Sequence, residues 1–263
     1  MIYLSAFTFP DEDAEWAFRM SVQRTCYETL YPFYVLPKTG LRHLVFAPIT
    51  ILCGGNGSGK GTALNVIAEK LRLKREAPYN RSNFFGDYVD LCEASLEEAV
   101  PGESRIVTSD DVFDFMLSIR ALNEGIDRKK EALLEEYASL KGDVSRLRSM
   151  DDYDALKKRN SARKKTQSAF VRDNIGPNVR EQSNGESADA YFKSRLADDT
   201  LCLLDEPENS LSPKRQRELA AYLEESARYC GNQLVISTHS PFLLAMRGAK
   251  IYDLDKGAAV VQS

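Results

Sequence analysis

Residues 53–62 read CGGNGSGKGT, and the meaning of that stretch decides the fold. It departs in one place from G-x-x-x-x-G-K-[S/T], the pattern of a loop that wraps phosphate. Gly54, Gly59 and Lys60 stand where the pattern needs them. The next position holds Gly61 instead of a hydroxyl residue, and Thr62 follows one place late. The flanks give the loop its context. Ile49–Cys53 is a short apolar run behind Pro48 with the character of a buried strand, and residues 62–71 carry the spacing of an apolar-faced helix. A glycine loop between strand and helix turns backbone N–H groups toward an anion. The helix adds its positive end and Lys60 adds a full charge.

Composition sets the bounds. The chain has 263 residues, 43% hydrophobic and 28% charged, which suits an ordinary globular protein with a sizeable core. A net charge of -4 gives no global attraction to nucleic acid, so any such contact needs a local patch. The cysteines, Cys26, Cys53, Cys92, Cys202 and Cys230, are scattered and form no C-x-x-C pair, and His43 and His239 are the only histidines. Disulfide scaffolds and clustered metal ligands are therefore not expected, and a reducing cytoplasm is. The opening MIYLSAFTFPDEDAEW lacks the basic start of a signal peptide, and no apolar run approaches the length of a membrane span.

Two further apolar runs end in polar residues. TLCLLDEPENSLSP, residues 200–213, puts Asp205 and Glu206 at the end of a buried strand, where the ligand crevice of a parallel sheet opens. Adjacent carboxylates can divide the labour, Asp205 holding magnesium through water and Glu206 orienting an attacking water. QLVISTHSPFLL, residues 233–244, places His239 after a third buried strand. Taken singly, each feature has a plain alternative: a glycine turn, a solvated acidic turn, a packed histidine. Their shared placement at strand ends favours a site. PKRQRELAAYLEESARY, residues 213–229, is an amphipathic helix, and KIYDLDKGAAVV, residues 250–261, reads as a hairpin. Strands alternating with helices predict a single α/β domain over 1–263 with a mainly parallel sheet.

A helical insertion is expected over 113–180. Within 117–147, Leu133, Tyr137, Leu140, Val144 and Leu147 alternate spacings of four and three, but Gly125 and Gly142 weaken the run, which favours a short helical hairpin. A basic island follows, with Lys157, Lys158, Arg159, Arg163, Lys164, Lys165 and Arg172 and no acid between Asp154 and Asp173. It reads as a solvated helix face, a nucleic-acid backbone contact, or a surface for an acidic protein partner. Phe170 alone interleaves it, which counts against base stacking.

Together these stretches resemble the ABC-type ATPases, in the soluble SMC-like and OLD-like branch, from about residue 41 to the C-terminus. GGNGSGKGT resembles their Walker A loop, DEPE their Walker B, residues 209–212 their D-loop, and ISTHS their switch-histidine loop. QSNGES, residues 182–187, is similar to their signature. The resemblance implies ATP and magnesium as cofactors. ATP would be contacted by Gly54, Gly55, Asn56, Gly57, Ser58, Gly59, Lys60, Gly61 and Thr62, and magnesium by Asp205. Glu206, His239 and Lys60 would serve catalysis. Ser183 and Gly185 would face the γ-phosphate bound to the opposite subunit, which implies a head-to-tail dimer around two ATP molecules. The branch also implies a partner effector, in DNA-associated or anti-phage defence work. The alternatives are a nucleotide switch with little hydrolysis, or the ATPase subunit of a transporter. The signature variant and the DEPEN sequence argue against the transporter reading.

Two positions depart from the family pattern, and a third has several candidates. No glutamine follows the first helix, and Ser109, Asp110 or Asp111 in TSDDVF either substitutes for it or merely caps a helix. The adenine-stacking aromatic has four candidates, Tyr27, Tyr31, Phe33 and Tyr34. Gly61 lacks the hydroxyl that the family offers to magnesium, so ATP binding is expected to survive and hydrolysis to be weak.

Overall fold

The computed structural model describes residues 1–23, 26–27, 29–142, 153–175, 184–209, 211–257 and 259–261. Three apolar runs become the centre of a sheet: β3 (Ile49–Cys53), β6 (Leu201–Asp205) and β7 (Gln233–Ser237). All five residues of β7 are buried, as are the first four of β3 and of β6. Strands apolar on both faces need cover on both, which is how parallel sheets are built. With β5 (Arg105–Thr108), β8 (Lys250–Asp253) and β9 (Ala259–Val261) they form a six-stranded sheet in the order β5-β6-β7-β3-β8-β9. Only the β8–β9 pair is antiparallel. The mainly parallel α/β sheet and the C-terminal hairpin agree with the sequence.

A second, antiparallel sheet, β2-β1-β4, pairs β1 (Leu4–Thr8) with β2 (His43–Val45) and β4 (Glu93–Leu96). Only β1 announces itself in sequence: β2 is three residues long, and β4 is largely exposed and so carries little apolar patterning. Gln233, fully buried at the start of β7, joins the two sheets. Its Oε1 accepts from the N–H groups of Tyr3 (2.8 Å) and Leu4 (2.9 Å), and its Nε2 donates to the Leu4 carbonyl (2.7 Å). That satisfies its whole amide, apart from one hydrogen, inside the core.

Helices cover these sheets by the residues their spacing sets on one face. α2 (Lys60–Lys70) buries Ala63, Leu64, Val66, Ile67 and Ala68. α8 (Pro213–Tyr229) starts at Ser212, with Pro213 in its first turn, and buries Leu219, Ala220 and Leu223. α3 (Phe85–Leu91), α7 (Asn184–Arg195) and the short α9 (Pro241–Leu244) complete this part.

By its contacts the chain divides into two units, Met1–Asp114 with Ser183–Ser263, and Phe115–Gln182. α4 (Ser109–Gly142) begins in the first and runs on as a 34-residue helix, so Gly125 costs it about 1 kcal/mol without ending it. This is longer than the sequence suggested. In the second unit, Leu133, Tyr137 and Leu140 of α4 pack with Ala162 of α5 (Tyr153–Lys164) and Phe170 of α6 (Gln167–Asn174). The spacing therefore serves a small local core; Val144 and Leu147 lie outside the described residues. The basic island is split between α5 and α6, with Thr166 capping α6 through the Ala169 N–H. Lys157, Arg163, Lys164 and Lys165 are exposed, and Phe170 is buried against Tyr137 at 5.5 Å.

One buried acid gives the fold a pH dependence. Glu15 of α1 (Glu12–Ser21) is fully buried, and its Oε2 accepts from the Tyr34 N–H at 2.7 Å. Burial pushes its carboxyl up to about 7, with Glu12 and Asp11 adding in the same direction. Between the ordinary glutamate range and pH 7 the folded chain thus holds a proton that the unfolded chain has released. Stability falls as pH rises through that window. Glu15→Gln removes the penalty at nearly constant shape. The variant should melt higher than the parent at pH 8, by on the order of 3 kcal/mol in stability, with the difference closing toward pH 4.5. Thermal melts across pH 4.5–8 check this, and a gap that does not change with pH would contradict it.

Candidate functional site

The site forms along the carboxyl ends of four neighbouring strands. Thr108 pairs with Asp205, Asp205 with Ser237, and Ser237 with Leu52, so these strand ends stand in one row. The loop after β3 opens there. Gly54 and Gly59 adopt φ values of +149° and +85°, in the region that favours glycine. A Cβ would also lie 2.9 Å from Ser58 Oγ at Gly54 and 3.0 Å from Leu36 Cδ2 at Gly59. Gly55, Asn56 and Gly57 are exposed at the loop's crown, and Ser58 is buried at its base. Lys60, Gly61 and Thr62 form the first turn of α2, whose N–H groups lack partners within the helix.

Lys60 is only 4% exposed. Its Nζ donates to the carbonyls of Gly54 (2.7 Å) and Gly55 (2.9 Å), the inside of the loop, and lies 3.9 Å from Glu206 Oε1. The same Glu206 oxygen is 3.7 Å from His239 Nδ1. Glu206 has φ +49°, a left-handed conformation that costs a non-glycine residue of order 1–3 kcal/mol. Its N–H is held by the Ser237 carbonyl (3.0 Å) and hydroxyl (3.1 Å). Ser237 also donates from its hydroxyl to Asp205 Oδ1. Desolvation at the strand end pushes the Asp205 carboxyl above its ordinary range. Ser237 and Lys60 draw it back, while Glu206 and Asp110 push it further up.

The sequence candidates thus divide. Lys60, Gly61, Asp205, Glu206 and His239 stand together at the strand ends. Gly185 lies in the first turn of α7, and Ser183 falls outside the described residues. The TSDDVF stretch forms a cap: Asp111 is buried, and its Oδ2 accepts from the Thr108 N–H (2.6 Å) and hydroxyl (2.8 Å) while Oδ1 takes the Ala77 N–H (2.6 Å). Asp111 is therefore committed to the backbone, and Asp110 is the exposed acid that acts on Asp205. Among the aromatic candidates, Phe33 is buried and stacked on Phe18 at 4.4 Å, and Tyr27 packs edge-on to Phe84 at 5.5 Å. Tyr31 reaches the loop, its hydroxyl 3.1 Å from Thr62 Oγ1.

Sequence reasoning missed Ser237 and Asp255. Ser237 is the residue two places before His239, in the quoted motif itself. Asp255 comes from the far hairpin, and its Oδ2 accepts from the Gly55 N–H at 2.8 Å. No local pattern links residues 200 positions apart.

The geometry around Gly61 fits magnesium. A Cβ at Gly61 would lie 3.0 Å from Asp205 Oδ2 and 3.5 Å from Oδ1, so the Asp205 carboxylate faces the first turn of α2 where Gly61 leaves room for an ion. Among the described residues no group of three or more His, Cys, Asp or Glu forms a metal cage. A hard cation that keeps several waters and takes phosphate oxygens needs none.

A family profile described as "AAA domain, putative AbiEii toxin, Type IV TA system" matches residues 105–245. No curated protein is similar enough to match the chain. Solved structures with a similar outline include the dimeric ATP-binding cassette MJ0796 bound to ADP and Pi, at 16% identity over 83% of this chain and 87% of that one, TM-score 0.39. The Smc head domain of Pyrococcus furiosus bound to the C-terminal domain of ScpA shares 15% identity over 83% of this chain and 91% of that one, TM-score 0.39. The matched residues 105–245 are more than half of the chain and take in β5, Asp205, Glu206 and His239. The protein therefore belongs to this AAA-domain family.

Proposed function

We propose that this chain binds ATP on loop 54–62, dimerises head to tail around it, and hydrolyses it slowly to regulate a partner effector. The observation that carries the reading is the row of side chains Lys60–Glu206–His239, at 3.9 and 3.7 Å, beside Asp205 on adjacent strand ends. The loop amides and the start of α2 take the phosphates, and the Lys60 ammonium exchanges the Gly54 and Gly55 carbonyls for phosphate oxygens. Glu206 accepts the proton of the attacking water and orients it. His239 donates to the γ-phosphate. Ser183 and Gly185 of a second copy close the far side of that phosphate. Magnesium, when bound, neutralises phosphate charge, and Asp205 would hold it. Tyr31 is the adenine neighbour. The family's description supports a toxin-linked defence role, and the product of an adjacent coding sequence is the natural candidate for the effector. The exposed lysines of α5 are a candidate surface for that partner or for nucleic acid.

A second reading, a switch with little turnover, draws support from Gly61. A pair of variants separates the two. Gly61→Ser brings a hydroxyl to the magnesium position, at the cost of moving Asp205 by a few tenths of an ångström. Gly61→Ala brings the same Cβ contact without the hydroxyl. Magnesium-dependent phosphate release should rise on the order of tenfold for serine and fall below the parent for alanine. If serine does no better than alanine, Gly61 does not limit the rate.

A further inference from the structure

The third acid of DEPE, Glu208, is 5% exposed. Its Oε1 accepts three hydrogen bonds from the loop after β7: the Thr238 hydroxyl at 2.5 Å, the His239 N–H at 2.9 Å and the Ser240 N–H at 3.2 Å. Its Oε2 is buried with no hydrogen-bond partner among the described residues. Burying a carboxylate is costly, and three donors on one oxygen offset that cost only in part. The loop it holds is unusual in its exposure. Thr238 and Ser240 are 0% and 4% exposed, whereas the His239 side chain between them is 44% exposed. The backbone is clamped on both sides of a projecting imidazole.

Glu208 also belongs to the turn after β6. Asn209 N–H donates to the Glu206 carbonyl (3.1 Å), Asn209 Nδ2 to Glu206 Oε2 (3.1 Å), and Leu211 N–H to the Glu208 carbonyl (3.0 Å). Gln216 of α8 closes a ring. It accepts from the Ser240 hydroxyl (2.7 Å) and donates to the Leu211 carbonyl (3.0 Å). The turn that carries Glu206 and the loop that carries His239 are thus one hydrogen-bonded body.

We propose that Glu208 is a positioning residue for His239, which holds the backbone that presents the imidazole and couples it to the turn at residues 206–209. Displacement of that turn then moves the histidine with it. The proposal rests on the ATPase reading for its kinetic consequences, but its structural half stands apart from that reading.

The test compares Glu208→Ala with Glu208→Gln, which keeps an acceptor oxygen where Oε1 lies. The chain has two histidines, so His239→Ala assigns the His239 imidazole resonances by NMR. Glu208→Ala should move those resonances to the position of a freely rotating imidazole. It should also lower kcat about tenfold or more while ATP affinity stays within about twofold, and Glu208→Gln should restore both. The proposal is overturned if the alanine variant keeps parental resonances and kcat, or if glutamine is as impaired as alanine. Should the alanine variant not fold, Thr238→Val removes one donor to the same oxygen. A smaller resonance shift of the same sign supports the proposal and no shift overturns it. If the parent hydrolyses no ATP, the functional reading fails while the resonances still decide the role of Glu208.

Discussion

Glu206→Gln should bind ATP and not cleave it. Glutamine preserves the length and shape of the side chain, the left-handed backbone at residue 206 and the Asn209 contact. It removes the basic oxygen that faces both Lys60 and His239. Loss of a general base costs about 10²–10⁴ in rate. ATP affinity should hold, because the phosphates are taken by the loop, by Lys60 and by the start of α2. With cleavage blocked, the ATP-bound form accumulates, so the variant should become a stable dimer in saturating ATP and a monomer without it. Light scattering after size exclusion reads that difference directly. A variant that stays monomeric in saturating ATP removes the dimer from the account for the chain in isolation.

Lys60→Ala should lose ATP binding itself. The ammonium is buried inside the loop and held by two carbonyl oxygens, the position a phosphate group would come to occupy. Alanine leaves those carbonyls pointing at the incoming phosphates and leaves Glu206 without the ammonium 3.9 Å away. Charge-assisted hydrogen bonds lost from a buried site of this kind are worth about 1.5–3 kcal/mol each, so affinity should fall at least tenfold and up to a few hundredfold. A fluorescent ATP analogue gives the binding curve. An unchanged curve would mean that the nucleotide sits elsewhere.

How much of this was legible beforehand differs from element to element. β3, β6 and β7 were readable because buried parallel strands are apolar throughout, and each ends in residues with chemistry of their own. The central sheet and the candidate groups Lys60, Asp205, Glu206 and His239 followed from that. The antiparallel sheet was hidden because β2 is very short and β4 is exposed, so neither carries a periodic pattern. The length of α4 was hidden because Gly125 weakens local propensity, and a long helix outweighs one such penalty. Contacts across many residues could not be read at all: Asp255 on Gly55, Tyr31 beside Thr62, Gln233 on Tyr3 and Leu4. Glu208 was in plain view within DEPE. What no sequence pattern carries is that its carboxylate turns away from solvent and onto the backbone of the histidine loop.

The central claim is that the strand-end groups bind ATP and cleave it. The most direct measurement mixes purified parent, Lys60→Ala and Glu206→Gln, each in excess, with γ-labelled ATP and magnesium, and follows bound nucleotide and released phosphate together. The account predicts binding with slow release for the parent, binding without release for Glu206→Gln, and neither for Lys60→Ala. A parent that binds no ATP at millimolar protein and nucleotide, or equal phosphate release from all three, would contradict it.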